Sequence, residues 1–272
     1  MARDRLMVVT TASCTERCVR AGFMFGKSGP HISRTMMLDE ISRCLDVLPP
    51  KASRADYRTA IVEQNILGKS TEATRKESFR RLRELYALEP AVPLFGVFRQ
   101  LDTTDPTARP LLSLLLTSAR DPLLRSTIPV ILGAREGDSL GAEHFDAALE
   151  RAFPDHLKAK TRAKTARNIA STWEQSGYLL GRATKTRSRV IARPAALVMA
   201  LILGTLQDVH GASLFGTAWC QILDLNAAQA QTLAAQAHRE GLLDLRAVGT
   251  VVEVTFPRFA DAMNTGDSHG SL

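Results

Sequence analysis

The sequence predicts a mainly α-helical protein, and two observations support this prediction. Apolar residues recur with helical spacing through most of residues 31–119, and segments that alternate in the manner of strands are scarce. The chain has 272 residues, of which 45% are hydrophobic and 23% charged, and these are ordinary values for a globular protein. Its length predicts about two domains of usual size.

Prolines and capping residues divide the first half into helices. The predicted helices span residues 32–48, 53–65, 70–88, 93–101 and 108–119, followed by a short helix from residue 121 that Pro129 interrupts. The first helix ends because Pro49 cannot continue it. Ser53, and then Ser70 or Thr71, are predicted to cap the next two helices.

The second half begins with a linker and contains one clear strand. Residues 133–141 are rich in glycine and form the best linker candidate. Further helices are predicted over residues 143–153, 195–206, 214–223 and 227–239. Residues 250–256 alternate β-branched residues with Glu and Thr, which predicts a strand. The tail, residues 264–272, is small and polar and is expected to fray.

The location of the protein is predicted from its apolar runs and cysteines. The most apolar run, residues 195–206, is too short to cross about 30 Å of hydrocarbon, so a buried helix is predicted there. No secretory signal is visible at the start, and the four cysteines are few and scattered. We therefore expect a cytoplasmic protein that does not contact a membrane.

Positive charge is concentrated in residues 158–193. This stretch holds ten basic residues and one acid, Glu174, so its charge is 10 − 1 = +9, whereas the whole chain is +7 and the remainder is 7 − 9 = −2. A concentration of this kind attracts polyanions, because each neutralised phosphate releases counterions. A solvated surface without a partner is the alternative, and RNA and acidic protein surfaces also remain open.

A pattern in the basic region recurs 230 − 166 = 64 residues later. The first copy contains the helical face Ala166, Ile169, Ala170 and Trp173, then Gly177, Tyr178, Leu179 and Arg182, and the second contains Ala230, Leu233, Ala234 and Ala237, then Gly241, Leu242, Leu243 and Arg246. A helix, a glycine, two apolar residues and a hairpin are typical of the recognition helix and wing of a winged helix-turn-helix. Two unrelated helix-to-strand junctions are the alternative.

These observations predict a helical N-terminal domain (residues 1–135), a basic winged-helix-like unit (136–193) and a second such unit (194–272), each unit with a short β-hairpin. Only the first copy is basic, so the second is interpreted as a packing or dimerisation unit. Predicted base contacts lie on the polar helix face, because Asn and Gln pair with adenine and Arg with guanine. They are Arg167, Asn168, Ser171, Thr172 and Gln175. The predicted phosphate contacts are Lys158, Lys160, Arg162, Lys164, Arg182, Lys185, Arg187, Arg189 and Arg193.

No motif in the sequence supports catalysis, a cofactor or a bound metal. Residues 21–28 (AGFMFGKS) match a loose phosphate-loop pattern, but no buried strand is predicted before them and Gly29-Pro30 prevents the helix that should follow. Cys14 and Cys18 lack a second pair of ligands at zinc spacing. The six histidines form no metal-binding or catalytic motif.

Short motifs in residues 65–85 resemble a known family. They are the turn NILGKST at residues 65–71, the pair Ala73-Thr74 and the helix RRLREL at residues 80–85. These motifs resemble the BrxA family, accessory proteins of BREX bacteriophage-exclusion systems, and the resemblance spans roughly residues 22–190. It implies a mainly helical, non-enzymatic, cytoplasmic phage-defence protein associated with DNA binding. The chain is longer than that family, and the second copy falls outside the match.

The sequence therefore predicts a non-enzymatic DNA-binding protein that acts with other defence proteins. RNA is not excluded as the ligand. The first alternative is an adaptor whose basic region docks acidic partner proteins. The second is a dimeric winged-helix transcriptional regulator, and a homodimer is accordingly left open.

Overall fold

A computed structural model describes residues 12–181, 184–249 and 251–260. Helices make up most of this part of the chain, which confirms the mainly α prediction. The α-helices are α1 (Ala12–Ala21), α2 (Leu38–Val47), α3 (Arg54–Arg58), α4 (Glu72–Tyr86), α5 (Pro93–Thr104), α6 (Arg109–Arg120), α7 (Pro122–Arg125), α8 (Ile128–Gly133), α9 (Ala142–Ala152), α10 (Ala159–Gln175), α11 (Pro194–Leu206), α12 (Ala218–Gln221) and α13 (Ala227–Arg239). The strands are β1 (Leu179–Leu180), β2 (Thr186–Arg187), β3 (Asp244–Val248) and β4 (Val251–Thr255). They form two antiparallel hairpins, β1–β2 and β3–β4. Predictions for the tail at 264–272, for Arg182 and for Thr250 lie outside the described residues.

The predicted caps lie at the helix starts. Ser53 caps α3 in a capping box with Asp56, and a π-helical turn, Thr59–Glu63, then extends that helix. Thr71 caps α4 by accepting from the backbone N–H of Thr74. That helix ends at Tyr86, because the next residue, Ala87, has a φ of 74° and leaves the helical conformation.

Two predicted helices differ from those observed. Residues 32–48 do not form one helix: a 3-10 turn, Pro30–Ile32, is followed by a stretch without regular secondary structure, and α2 begins at Leu38. The stretch is not helical because side chains of other elements bind its backbone; for example, the hydroxyl of Tyr86 donates to the Met36 carbonyl at 2.7 Å. Residues 214–223 contain the end of a 3-10 helix, Gly211–Gly216, and then the short α12.

Helix α11 lies at the centre of the protein, as its apolar sequence predicts. All but one of its thirteen residues are buried, and it packs against α1, α5, α6 and α13. One continuous apolar core extends from Cys14 to Phe259. The three predicted segments therefore share a core, while their boundaries at 135 and 193 stay a prediction. None of the helices in the described part of the chain is long and apolar enough to cross a bilayer.

The 64-residue repeat is present as local structure. Helices α10 and α13 are each followed by a glycine with positive φ, Gly177 at 89° and Gly241 at 68°. In both copies the residue after the glycine, Tyr178 or Leu242, donates its backbone N–H to the carbonyl five residues earlier, at 2.9 Å. A left-handed glycine with this bond forms a Schellman motif, which ends a helix and redirects the chain. Each copy then enters its hairpin.

A buried hydrogen-bond network around His31 joins distant parts of the chain. The His31 Nδ1 atom lies 2.7 Å from Asp121 Oδ2, and Nε2 lies 2.8 Å from the Thr172 hydroxyl. All three side chains are fully buried. The Thr172 hydroxyl also accepts from the backbone N–H of Met36 at 2.9 Å, and Asn168 Nδ2 donates to the His31 carbonyl at 2.9 Å. The network connects the stretch before α2 with the start of α7 and with α10.

Asp121 carries a charge inside the protein. Its burial alone would raise the pKa, but the charge and hydrogen bonds of His31 and the backbone N–H of Leu123 outweigh burial, so the pKa of Asp121 is lowered. Asp121 also caps α7 through the backbone N–H groups of Leu123 and Leu124. A side chain at Gly29 would collide with the Asp121 carboxylate, so this position requires glycine.

We predict that His31→Ala lowers the free energy of unfolding by about 3–5 kcal/mol, because it leaves the buried Asp121 carboxylate without its main partner. Urea denaturation followed by circular dichroism measures the change. The matched control is His156→Ala, at an exposed histidine, which should stay within about 0.5 kcal/mol of the parent. Equal effects of the two substitutions would show that the network does not stabilise the fold.

Candidate nucleic-acid interface

Helix α10 is held in place by its apolar face. Ala166, Ile169, Ala170 and Trp173 are buried, as their spacing predicts. The indole N–H of Trp173 donates to the Thr127 hydroxyl at 3.1 Å. The apolar face therefore fixes which of the remaining side chains of α10 reach the solvent.

Part of the polar face that is predicted to contact bases packs against the rest of the protein. It contacts the N-terminal segment, which we define as residues 27–38. Asn168 donates to the backbone of this segment, and Gln175 Nε2 donates to the Thr35 hydroxyl at 3.2 Å. Thr172 is fully buried, so the prediction that it contacts a base is wrong. Asn168 and Gln175 are only half-buried, and the amide nitrogen of each donates one of these bonds.

Four of the predicted phosphate contacts form ion pairs within the protein. The pairs are Arg162 with Asp146 and Glu150, Lys185 with Glu174, Arg187 with Asp224, and Arg193 with Asp105. All of these acids except Glu174 lie outside residues 158–193. The charge of the sequence window therefore overstates the charge that this region presents at the surface.

Arg187 is a structural residue, which corrects its predicted role. It is 5% exposed, and its guanidinium lies over the Tyr178 ring with 5.0 Å between Cζ and the ring centroid. Its partner Asp224 also accepts from the backbone N–H of Val190 at 2.8 Å. Arg187 therefore joins the hairpin of the first copy to the residues just before α13, and it is too deeply buried to bind phosphate.

The remaining basic residues of α10 form a row on its outer surface. Lys160, Lys164 and Arg167, which we call the basic stripe, follow at spacings of four and three residues, so they share one helix face. All three are exposed, as is Lys158 at the helix start, and none of the four has an ion pair among the described residues. Ser171 continues the row one turn further and is half-buried.

The other predicted phosphate contacts have different surroundings. Arg189 is exposed, and its guanidinium donates to the Asp224 backbone carbonyl at 3.2 Å. Two exposed cations that the charge window missed, Lys27 and Arg34, lie in the N-terminal segment that contacts α10. Residues 17–38 contain no acid, and this feature of the sequence could have indicated a basic surface there.

The phosphate-loop-like residues do not have the surroundings of a phosphate loop. A helix, α1, precedes them instead of a buried strand, and the 3-10 turn Pro30–Ile32 follows them. Two carbonyls of this loop face arginines: Arg120 donates to Gly22 at 2.8 Å, and Arg125 donates to Met24 at 2.9 Å. The loop is therefore bound through its carbonyl oxygens, whereas a phosphate loop presents backbone N–H groups.

The NILGKST turn is also a structural element. Asn65 has a left-handed φ of 55°, and its side-chain oxygen accepts from the backbone N–H of Lys69 at 2.8 Å. The Lys69 ammonium pairs with Glu40 at 2.9 Å, and Leu67 is buried. These residues connect α3 to α4, and their pattern is explained by the turn that they form.

Comparisons with known proteins leave the family of the chain open. No model of a known protein family matches the sequence, and no curated protein matches it significantly.

The structure separates the basic residues that stabilise the fold from those that do not. We predict that Arg187→Ala lowers the free energy of unfolding by about 3 kcal/mol or more, because it leaves the Asp224 carboxylate without its cation. Lys164→Ala, at an exposed and unpaired position, should change it by less than about 0.5 kcal/mol. Denaturant titration of both variants measures the difference, and a stable Arg187→Ala variant would contradict the structural role.

Proposed function

We propose that the protein is a non-enzymatic component that binds duplex DNA through the outer face of α10. The observation that supports this proposal is the basic stripe, because its three cations are exposed and lack acidic partners among the described residues. Cations without partners lose no ion pair when they bind phosphate. A row of lysines and arginines contacts phosphates without selecting sequence, so we expect binding that depends weakly on sequence.

We further propose that both copies are winged-helix units. Their support is the order of the elements. In the first copy α9, α10 and the β1–β2 hairpin follow in sequence, and Ser139 forms an antiparallel bridge with Thr186 as a third, short strand would. In the second copy α11, the 3-10 helix Gly211–Gly216, α12, α13 and the β3–β4 hairpin have a comparable order.

The proposed mode of binding differs from that of a typical recognition helix. In that arrangement, side chains of the second helix contact base edges in the major groove. Here the N-terminal segment covers the face of α10 that contains Asn168, Thr172 and Gln175. We therefore propose that α10 lies along the phosphate backbone, with Lys158, the basic stripe and Arg189 as its contacts.

We predict a steep salt dependence for binding to a fluorescein-labelled duplex of random sequence, measured by anisotropy. Five phosphate contacts give a slope of log K against log salt of about −4.5 or steeper. The K164A/R167A variant should reduce the steepness of the slope by about 1.8, because two contacts are lost.

The control for this experiment is K51A/R83A, which also removes two exposed cations that form no ion pair within the described part of the chain but leaves α10 unchanged. Its slope should equal that of the parent. A flat salt response of the parent, or equal effects of the two double variants, would contradict the proposal.

Other outcomes would favour a different ligand or partner. Tighter binding to RNA than to duplex DNA would indicate that RNA is the ligand. Binding of one palindromic site alone would favour the dimeric regulator, and a partner protein that stays bound after nuclease treatment would favour the adaptor.

The resemblance to BrxA supports a further proposal, that DNA binding serves a BREX-like phage-defence system together with other proteins of that system. We predict that a host with the intact system loses protection when the gene is replaced by the K164A/R167A variant, as measured by phage plating efficiency. The K51A/R83A gene should keep protection. Full protection after deletion of the gene would contradict a role in defence.

A further inference from the structure

The N-terminal segment adds positive charge beside the basic stripe. Residues 17–38 contain no acid, and within the segment Lys27 and Arg34 are exposed. Neither cation has an ion pair among the described residues. The nearest acid that follows in the sequence is Asp39, in the first turn of α2.

The segment and the stripe are neighbours because Asn168 connects them. Asn168 donates to the His31 carbonyl, and Lys164 lies one helical turn before Asn168 on the same side of α10. On the segment, the Arg34 backbone N–H donates to the Pro30 carbonyl at 3.1 Å, which places Arg34 one turn beyond Pro30. The 3-10 turn Pro30–Ile32 therefore packs against α10, one helical turn from Lys164.

The backbone around Arg34 is held in place by hydrogen bonds of residues that precede and follow it in the sequence. Before it, His31 is buried and bound to Asp121 and Thr172. After it, the Met36 backbone N–H donates to the Thr172 hydroxyl at 2.9 Å. Arg34 itself is exposed, and its guanidinium donates to the Ser33 carbonyl at 3.1 Å. A preorganised backbone that presents an exposed cation is a favourable arrangement for binding an anion.

We propose that the N-terminal segment forms the second half of the phosphate-binding surface, with Lys27 and Arg34 contacting the DNA backbone next to the basic stripe. This inference rests on the proposed DNA binding by α10. Asn168 then acts as a positioning residue, because it holds the segment against α10 without touching the ligand. The surface is composite, and its halves lie more than 120 residues apart in the sequence, since 158 − 34 = 124.

The test is the salt dependence of anisotropy with the same labelled duplex. Two further contacts give the parent a slope of about −6.3, and K27A/R34A should make the slope less steep by about 1.8. K51A/R83A is again the matched control. If K27A/R34A has the same slope as this control while K164A/R167A is impaired, the inference is wrong and the proposed function stands. If the parent shows no salt-dependent binding, the proposed function itself is wrong.

A second variant tests the positioning role. Asn168→Ala removes the bond to the His31 carbonyl and leaves every cation in place, so it should weaken DNA binding when its thermal unfolding midpoint remains near that of the parent. Combining it with K27A/R34A should then add little further loss, because both changes act on the same contact. A fully additive loss in the triple variant, or unchanged binding by Asn168→Ala, would overturn the positioning role.

Discussion

The buried contact of His31 with Asp121 and Thr172 is the constraint on which the proposed DNA-binding surface depends. It joins residues that are separated by 90 and 141 positions in the chain. Because Thr172 is bound from within, the adjacent polar face of α10 lies against the N-terminal segment. The basic stripe lies on the neighbouring part of the helix surface and is exposed to solvent. Together with the buried apolar face of α10, this network determines which side of the helix any ligand can reach.

Burying a carboxylate is costly unless its charge is compensated, and the surroundings of Asp121 supply several partners. His31 contributes both its ring and its backbone N–H, while the first turn of α7 contributes two more N–H groups. Gly29 leaves the room that the carboxylate occupies. This arrangement explains why Gly29 and His31 occur together at this bend. The same bend places Lys27 and Arg34 at the surface, so one packing requirement also arranges the proposed DNA contacts.

The sequence predicted the features that depend on neighbouring residues. The caps at Ser53 and Thr71, the glycines after α10 and α13 and the buried helix α11 are all local signals, and the structure confirms them. The predictions that were wrong depended on distant partners. Thr172 is predicted to contact a base because the sequence of α10 alone does not reveal that His31 and Met36 bind its hydroxyl. Arg187 was assigned to phosphate because Asp224, its partner, lies 37 residues away.

A comparison of the two copies distinguishes residues that the fold requires from residues that it does not require. The residues of the second copy at the positions of Lys160, Lys164 and Arg167 are Asp224, Ala228 and Gln231, and yet α13 ends in the same Schellman motif and enters a longer hairpin. A helix-and-hairpin unit therefore forms without a basic outer face. The acid-paired cations of the first copy are explained by their partners within the protein. The cations that lack an ion pair among the described residues have no such explanation, and the proposal that they bind a negatively charged partner rests on them.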